Sequence, residues 1–384
     1  MPEWPLGRRA CRLDWHPSAE PEAATPNSIL GPQHRGHPAF ARLVRLGHAP
    51  AGYTRGGSPV NIPVLGIDIA KATFQACILG PDDRPRQRGF NNNATGFNQL
   101  AKWLRNSAPD LTRVCMEATG TYWRALANDL HARGFAVHVV NPKFIKHYGI
   151  SVGARTKNDR ADARLIAHFC LHQELPAWAP PSRALAELQG LVRRRHDLTQ
   201  MRTEELNRAH ESALTAAVQR SLKSNVAHLG KCVDALDTKI ADALRSTPEF
   251  ARNRDLLTTI PGIGPVTAAI LIAEIGPIAR FPSARELAAH AGIVPAEHTS
   301  GTSVRGNARI CKVGSDHLRR ALYMPALCLI SRPGPLGDVA RRIKARNTQD
   351  MVAVVAVMHK LLRVVYGVLK HEQPFNPELL AHNA

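Results

Sequence analysis

Apolar and polar positions change in short units along residues 64–140, and these units predict strands and helices in turn. Val64, Leu65, Ile67 and Ile69 form an apolar run typical of a strand covered on both faces. Residues 72–79 alternate as a second strand. The same patterns predict, in order, a strand at 87–90, a helix capped by Thr95 and running through 104, a strand at 111–117, a helix at 122–133 closed by Gly134, and a strand at 135–140.

Asn141-Pro142 breaks this succession, and a basic loop is predicted to follow it. The next helix is predicted to begin beside Asn158, a suitable N-cap. Asp159 and Asp162 stand three residues apart in that helix, so they share one of its faces.

Residues 182–247 show the pattern of two long helices. Six apolar positions of the second helix step by four or three residues as in an a/d seam: Leu222, Val226, Leu229, Val233, Leu236 and Ile240. Fewer than three heptads are strict, so two interpretations stay open. The segment is either an antiparallel hairpin within a helical bundle or a surface that pairs two subunits.

The segment 260–269 places Gly262 and Gly264 just before an apolar helix, the pattern of a helix-hairpin-helix. Such a turn presents the free N–H groups of a helix N-terminus to a phosphate. An ordinary corner between two helices has the same pattern. A further helix is predicted over 283–291, another one opens around Arg319, and two core helices close the chain after a short basic run.

The first 61 residues lack a sustained apolar period. Nine of the 28 prolines fall within residues 1–60. This composition predicts a disordered extension, with the working protein starting near Asn61 or Val64. No long apolar stretch follows the early arginines, so a secretory signal is not expected here.

The charge balance indicates a polyanionic partner. The 384 residues carry 50 Lys and Arg against 31 Asp and Glu, a net charge of +19, which favours nucleic acid binding. Aromatic residues make up only 5%, which argues against recognition by base stacking. The seven cysteines form no CxxC pair, so a reducing cytoplasm is expected. The sequence contains no run of 18 apolar residues, so a membrane span is not expected.

Four carboxylates occupy the positions that a shared metal site requires. Asp68 lies on the first strand, Glu117 ends the fourth strand, and Asp159 and Asp162 open the last helix. In a ribonuclease H-like sheet the first and fourth strands are neighbours, so all four acids would meet at one end. Mg²⁺ or Mn²⁺ would relieve their repulsion and hold a phosphodiester. Taken singly, each acid has a plain alternative as a cap or a favourable residue in a first helical turn.

A glycine-rich stretch at 298–314 combines hydroxyl groups with cations. Arg305, Arg309 and Lys312 follow Ser300 and Ser303, and a hydroxyl beside several cations can act as a nucleophile on phosphate. A basic loop that only grips backbone phosphates would have the same composition. The residues themselves do not rank Ser300 above Ser303.

Six motifs together resemble the DEDD transposases of the IS110 insertion sequences, the bridge-RNA-guided recombinases. They are GIDIAK (66–71), MEATGTY (116–122), KNDRADAR (157–164), IPGIGPVTA (260–268), GIVPAEHTSGTSVRGNARICKVG (292–314) and LRRALYMPA (318–326). The resemblance implies a RuvC-like domain in which Asp68, Glu117, Asp159 and Asp162 bind Mg²⁺, and a second domain whose serine attacks DNA. By motif position that serine is Ser300.

The resemblance also implies partners and a mechanism. Ser300 would cut and rejoin donor and target DNA through a covalent phosphoserine link, and a structured non-coding guide RNA would choose the sites by base pairing. The expected nucleic-acid contacts are Lys157, Gly262, Gly264, Arg305, Arg309, Lys312 and Arg319. The expected setting is the cytoplasm and nucleoid of a bacterium or archaeon.

These observations predict an α/β RNase H/RuvC-like domain, a helical coiled-coil arm, and a mostly α C-terminal transposase domain with a helix-hairpin-helix. The predicted boundaries are 1–61 for the extension, 62–175, 176–250 and 251–375 for the three parts, and 376–384 for a tail. Since 138 residues separate Asp162 from Ser300, we expect a homo-oligomer, a dimer that becomes a tetramer with DNA. In it, Asp68 of one protomer would serve Ser300 of another.

Two other functions compete with this one. A RuvC-like junction nuclease would hydrolyse DNA with metal-activated water and use the Ser300 segment only to bind. A non-catalytic nucleic-acid-binding protein would need none of the four acids, which their joint placement argues against.

Overall fold

The computed structural model describes residues 62–80, 84–111, 113–211, 214–300, 304–347 and 349–383. The predicted N-terminal extension and Ser303 lie outside these residues, as do the side chains of 296–308.

The first half of the chain forms a five-stranded mixed sheet with helices. Its strands are β1 (Val64–Ile69), β2 (Thr73–Leu79), β3 (Arg86–Asn91), β4 (Arg113–Glu117) and β5 (Ala136–Val140). Its helices are α1 (Ala94–Ser107), α2 (Trp123–Ala132), α3 (Pro142–Ser151) and α4 (Asp159–His172). The strand order is β3-β2-β1-β4-β5, with β2 antiparallel to β1 and β3, and β4 parallel to β1 and β5. The predicted adjacency of the first and fourth strands is therefore confirmed.

Two local predictions need correction. The side chain of Asn93, not Thr95, caps α1, because its Oδ1 accepts a hydrogen bond from the Gly96 N–H. The basic loop predicted after Asn141 contains helix α3. Asn141 caps this helix, and Pro142 occupies its first turn. An N–H at that position would have no partner within the helix, so proline is tolerated there.

Helix α4 lies directly on β1, and Gly66 makes this possible. A Cβ atom at position 66 would stand 2.2 Å from the backbone N of Ala167 and 2.4 Å from the carbonyl oxygen of Ala163. Both contacts are with backbone atoms of α4, which cannot rotate away. The small residues on both sides therefore set the distance between the strand and the helix that carry three of the four acids.

The second half begins with a helical hairpin. Helices α5 (Arg183–Ala209) and α6 (Ala216–Ser246) run antiparallel: Arg195 pairs with Asp237, while Leu198 packs with Leu229 and Val233. The a/d seam of α6 thus packs against α5 of the same chain. Its use as a pairing surface between subunits stays a prediction.

The remaining elements are mostly helical. They are α7 (Pro248–Thr258), α8 (Pro265–Ile275), α9 (Ala284–Ala291), the hairpin of β6 (Pro295–Ser300) and β7 (Val304–Ile310), α10 (Asp316–Ser331), α11 (Pro335–Ala345) and α12 (Asp350–His371). Short 3₁₀ turns lie at Ile278–Arg280 and Pro377–Asn383, the second of them in the predicted tail.

One hydrophobic core joins these helices to the base of the α5–α6 hairpin. Leu188 and Leu244 from the hairpin, Leu271 from α8 and Leu361 from α12 are all buried in it. Helix α12 is long and apolar enough to cross a membrane by length and composition, and half of its most apolar window is buried inside the protein. A core helix passes the same test, and the buried residues of α12 belong to this core.

The packing at Gly66 yields a stability prediction. We expect Gly66→Ala to lower the free energy of unfolding by roughly 1–3 kcal/mol, because the added methyl overpacks the contact with α4. Gly190→Ala is the matched control, since nothing lies within 4 Å of a Cβ at this position in α5. It should be neutral or stabilising by roughly 0.5–1 kcal/mol. Thermal unfolding of both variants measures this, and equal midpoints for Gly66→Ala and wild type would contradict it.

Candidate active site

Two carboxylates lie at the ends of neighbouring parallel strands. Strand β1 pairs with β4 so that Ile67 stands opposite Met116. Asp68 and Glu117, the next residue of each strand, therefore occupy adjacent positions at the same edge of the sheet. Both are partly buried. The Thr119 hydroxyl donates a hydrogen bond of 2.7 Å to Glu117 Oε1, which orients that carboxylate.

Helix α4 brings the other two acids to this edge. Asn158 caps the helix as predicted, with its Oδ1 accepting from the Ala161 N–H at 2.9 Å. Asp159 is exposed and Asp162 partly buried in the first turn. The Gln87 side chain of β3 donates to the carbonyl of Arg160 at 2.8 Å and so ties the start of α4 to the sheet.

The four acids influence one another electrostatically. Burial, followed by the negative charges of Asp162, Asp159 and Glu117, raises the pKa of Asp68 from 3.8 to about 6. Burial also raises the pKa of Asp162, with Asp159 adding to the effect and Lys157 opposing it. The structure thus brings the four predicted acids together and places Lys157 beside them.

The donor set fits a hard divalent cation. Oxygen ligands from clustered carboxylates are those that Mg²⁺ and Mn²⁺ take, and a cation would relieve the repulsion that raises the Asp68 pKa. Within the described part of the chain, no three acidic, histidine or cysteine side chains already stand as a formed metal-binding group. Charges interact over longer distances than those between a metal ion and its ligands. The acids are therefore close enough to affect the pKa of Asp68, but they are not as close as ligands of one metal ion would be.

The glycine-rich segment that contains Ser300 forms a β-hairpin, although the sequence pattern predicted no strands there. Strands β6 and β7 pair antiparallel, with Ser300 opposite Val304 and a register shift between Ala296 and His298. Ser300 is the last residue of β6. Alternation is masked here by glycines and by the register shift, which explains why the hydrophobic pattern did not reveal the strands.

The base of this hairpin is fixed to the end of α9. The Cys311 N–H donates to the Val294 carbonyl at 3.1 Å, and the Ser315 N–H donates to the His290 carbonyl at 2.8 Å. Gly314, at φ +151°, comes so close that a Cβ there would lie 2.2 Å from the His290 carbonyl oxygen. The segment that follows the hairpin is therefore closely packed.

The predicted phosphate-binding cations around the hairpin differ in their exposure and contacts. Arg309 and Lys312 are exposed near the hairpin base, and Lys312 adopts φ +53°. Arg305 has its side chain outside the described set. Arg319 points its Nη1 at backbone carbonyls of Ala291, Gly314 and Ser315, at 2.9 to 3.3 Å, so its guanidinium orders this segment.

The two glycines of the predicted helix-hairpin-helix stand between α7 and α8. Gly262 has φ +89°, a backbone conformation that favours glycine, and Gly264 immediately precedes α8. Gly264, Pro265 and Val266 are exposed, so this helix N-terminus is accessible to a phosphate. Phosphate binding at this turn stays a prediction.

Sequence reasoning missed the residues that position the acids. Asn92 Nδ2 donates to the carbonyls of Ala70 and Tyr122, at 3.0 and 3.2 Å, and so joins the loops that follow the two acid-bearing strands. Thr119 orients Glu117. Thr119 lies inside the MEATGTY motif, which could have pointed to it, whereas nothing in the sequence distinguishes Asn92 from its neighbours Asn91 and Asn93.

The strand order and the four acids define a DEDD domain of the RuvC-like class. Two family models match the chain: a DEDD transposase model of the IS110 type over residues 65–217, and the transposase family IS116/IS110/IS902 over residues 254–339. The chain belongs to the IS110 transposase family and is a transposase-type enzyme.

Full-length relatives agree with this assignment. The pilin gene-inverting protein of Moraxella bovis is 34% identical over 319 residues, covering 82% of this chain and 98% of that protein. A probable family 20 transposase of Pseudomonas aeruginosa is 26% identical, covering 83% of this chain and all of that protein. The transposase for insertion sequence element IS1328 of Yersinia enterocolitica is 24% identical, covering 80% and 97%.

The raised pKa of Asp68 predicts how pH affects stability. The folded protein binds the Asp68 proton more tightly than the unfolded chain does. The contribution of this proton to the free energy of unfolding is therefore fully present below pH 3.8 and is lost as pH rises through about 6. In buffer with a chelator at pH 7 to 8, Asp68→Asn should therefore unfold a few degrees higher than wild type. The difference should vanish towards pH 4.

Added Mg²⁺ should reverse this order, because it stabilises only a protein that can bind it. Wild type should gain in melting temperature and Asp68→Asn should gain less. Asp110→Asn, an exposed aspartate in the turn before β4, is the control and should follow wild type throughout. An Asp68→Asn protein that is less stable than wild type at pH 8 without metal would contradict the interpretation.

Proposed function

We propose that this transposase cuts and rejoins DNA through Ser300 with the assistance of divalent cations, guided by a structured RNA. The main support for this proposal is a cluster of four acids at one sheet edge of an IS110-family chain: Asp68, Glu117, Asp159 and Asp162. The named relatives include a pilin gene-inverting protein and insertion-sequence transposases, which supports DNA rearrangement as the reaction. A net charge of +19 supports nucleic acid as the partner.

In the proposed reaction the Ser300 hydroxyl oxygen attacks a backbone phosphorus. A new phosphorus–oxygen bond to serine forms, the bond to the 3′ oxygen breaks, and a 3′ hydroxyl is released on the DNA. The ester keeps the energy of the broken bond, so a second strand's 3′ hydroxyl can displace the serine without ATP.

The four acids would hold Mg²⁺ or Mn²⁺, which, when bound, stabilises negative charge on phosphate oxygens. The chain's own groups contribute in other ways. Thr119 fixes the orientation of Glu117, and Lys157 brings a positive charge to the acid cluster where the DNA backbone would approach. Backbone hydrogen bonds at the base of the β6–β7 hairpin connect the strand that carries Ser300 to the end of α9.

The oligomeric part of the proposal concerns how acids and serine meet. The elements that carry or flank them contribute to different hydrophobic cores: β1 and β4, which carry Asp68 and Glu117, pack in one, and α9 and α10, which flank the Ser300 hairpin, pack in the other. This separation supports assembly in trans, where the acids of one protomer serve the serine of another. A dimer, or a tetramer on DNA, would supply both.

A covalent adduct assay tests the nucleophile. Wild-type protein with Mg²⁺ and labelled cognate DNA should yield a labelled protein band that survives SDS, and Ser300→Ala should yield none. Ser303→Ala, three residues further along the chain, is the matched control and should retain the adduct. A junction nuclease that uses water would cut DNA with no adduct in any sample, and an adduct in Ser300→Ala would assign the nucleophile elsewhere.

RNA guidance has its own test. Protein expressed together with the DNA that flanks its gene should co-purify with one discrete RNA, identifiable by sequencing. Ribonuclease treatment should abolish adduct formation, and the purified RNA added back should restore it, because the site would be chosen by base pairing. A mock-treated sample controls for handling. Equal adduct yields with and without ribonuclease would exclude guidance while leaving the serine chemistry intact.

A further inference from the structure

The C-terminal helices carry a basic surface that the active site does not use. Residues 340–371, on α11 and α12, hold seven Lys or Arg and one Asp, a net charge of +6. They lie beyond residue 339, where the match to the transposase family model ends. A run of charge is usually only a solvated face, so the arrangement of the side chains has to decide.

Three of these cations lie along the contact between α11 and α12, within range of one another's charges. Lys360 and Arg363 stand three residues apart on α12 and are neighbours on one face of the helix. Lys360 is partly buried where α12 meets α11, in a crevice that it lines together with Ala340 and Ile343. Arg342 of α11 is exposed beside that crevice. Arg342, Lys360 and Arg363 are called the C-terminal triad below.

The charges of the triad act on one another. Burial, followed by the charges of Arg363 and Arg342, lowers the pKa of Lys360. The pKa of His359 is lowered by burial and then by Arg363. Each shift means that a positive charge here is less favourable than in water.

The acidic side chains of α11 and of the start of α12 form ion pairs with cations outside the triad. Asp338 pairs with Arg341, and Asp350 lies 3.7 Å from Lys344. In the portion of the chain that the structure describes, no carboxylate forms an ion pair with a member of the triad. Three such cations without an acid form a site that an anion with several oxygens would satisfy, and guanidinium groups match phosphate in particular.

We propose that the C-terminal triad binds a backbone phosphate of nucleic acid outside the catalytic centre. The identity of the ligand rests on the proposed function, which makes DNA and RNA the partners of this chain. Arg346, exposed directly after the end of α11, adds one further cation to this surface. Such a contact adds affinity and salt dependence without reading sequence.

Neutralisation of the triad tests the proposal. The triple variant Arg342→Gln, Lys360→Gln and Arg363→Gln is titrated with duplex DNA and, separately, with the co-purified RNA, from 50 to 300 mM salt. We expect affinity for at least one of them to fall about tenfold, and the slope of log K against log salt to become shallower by about 1, the change that one lost phosphate contact gives. The arm that responds identifies which nucleic acid the triad holds.

The matched control removes the same charge elsewhere. Arg245, Arg252 and Arg254 are paired with Asp242, Glu372 and Asp255, and their triple change to Gln also lowers the net charge by three. It should change affinity less than twofold. Equal losses in both triple variants, or no loss in either, would overturn the proposal.

Two further measurements keep the outcome clear. Because Lys360 is partly buried, thermal unfolding is compared first, and the exposed pair Arg342→Gln and Arg363→Gln replaces the triple variant if that one is unstable. Binding is measured without Mg²⁺ and without strand cleavage. A failure of Ser300 chemistry therefore leaves this test intact, and a failure here leaves the adduct assay intact.

Discussion

The contact between Gly66 and α4 is the constraint on which the candidate active site depends. A Cβ at position 66 would overlap the backbone of Ala163 and Ala167. The strand and the helix therefore touch at backbone distance, closer than ordinary side chains permit. Asp68 lies two residues beyond this contact on β1, and Asp162 precedes Ala163 on α4. Both acids are next to the contact, so its tightness affects both the burial of Asp68 and its distance from Asp162. Burial, followed by the charges of Asp162, Asp159 and Glu117, raises the pKa of Asp68.

A buried carboxylate has a comparable role in the helical half. Glu274 of α8, only 5% exposed, accepts two hydrogen bonds from Arg193 of α5, at 2.8 and 3.1 Å. The Ser315 hydroxyl, at the start of α10, reaches the same carboxylate at 3.4 Å. One acid thus joins the base of the α5–α6 hairpin to the segment that follows the Ser300 hairpin. Arg193 keeps 30% of its side chain exposed, so the pair is only partly desolvated, and the loss of Arg193 would leave the buried Glu274 carboxylate without its main partner.

The charge of Glu274 is also felt in the sheet half. Partial burial and the positive charge of Arg193 lower the pKa of Arg124 on α2, and Glu274 opposes that effect. Burial and then the charge of Arg280 lower the pKa of the neighbouring His290 to about 4, so this histidine is neutral at physiological pH. Neutral His290 adds no further positive charge beside Arg280. Through Arg124, the charges of Arg193 and Glu274 therefore act on a residue of the half that carries the acids.

The elements that could be predicted from sequence are those whose stability is local or periodic. Apolar runs predicted β1 and β4, Asn158 predicted the cap of α4, and the step of four and three predicted the helix α6. Prediction failed where neighbours decide the structure: Thr95 looked as good a cap as Asn93, and the β6–β7 hairpin has no clean alternation. The acids were predictable because strand order places them together. The tightness of their cluster was not, because Gly66 acts through a contact with residues about 100 positions away.

The acid cluster has an energetic cost for the fold. Asp68 is partly buried and faces three other carboxylates, and burial followed by their negative charges raises its pKa to about 6. Replacing them with neutral residues would relax the fold but remove the oxygen donors. Gly66 and the small residues of α4 keep the acids close despite this cost, so the packing of β1 against α4 maintains the acid cluster. The arrangement of the sheet and the proximity of the acids therefore depend on the same contact.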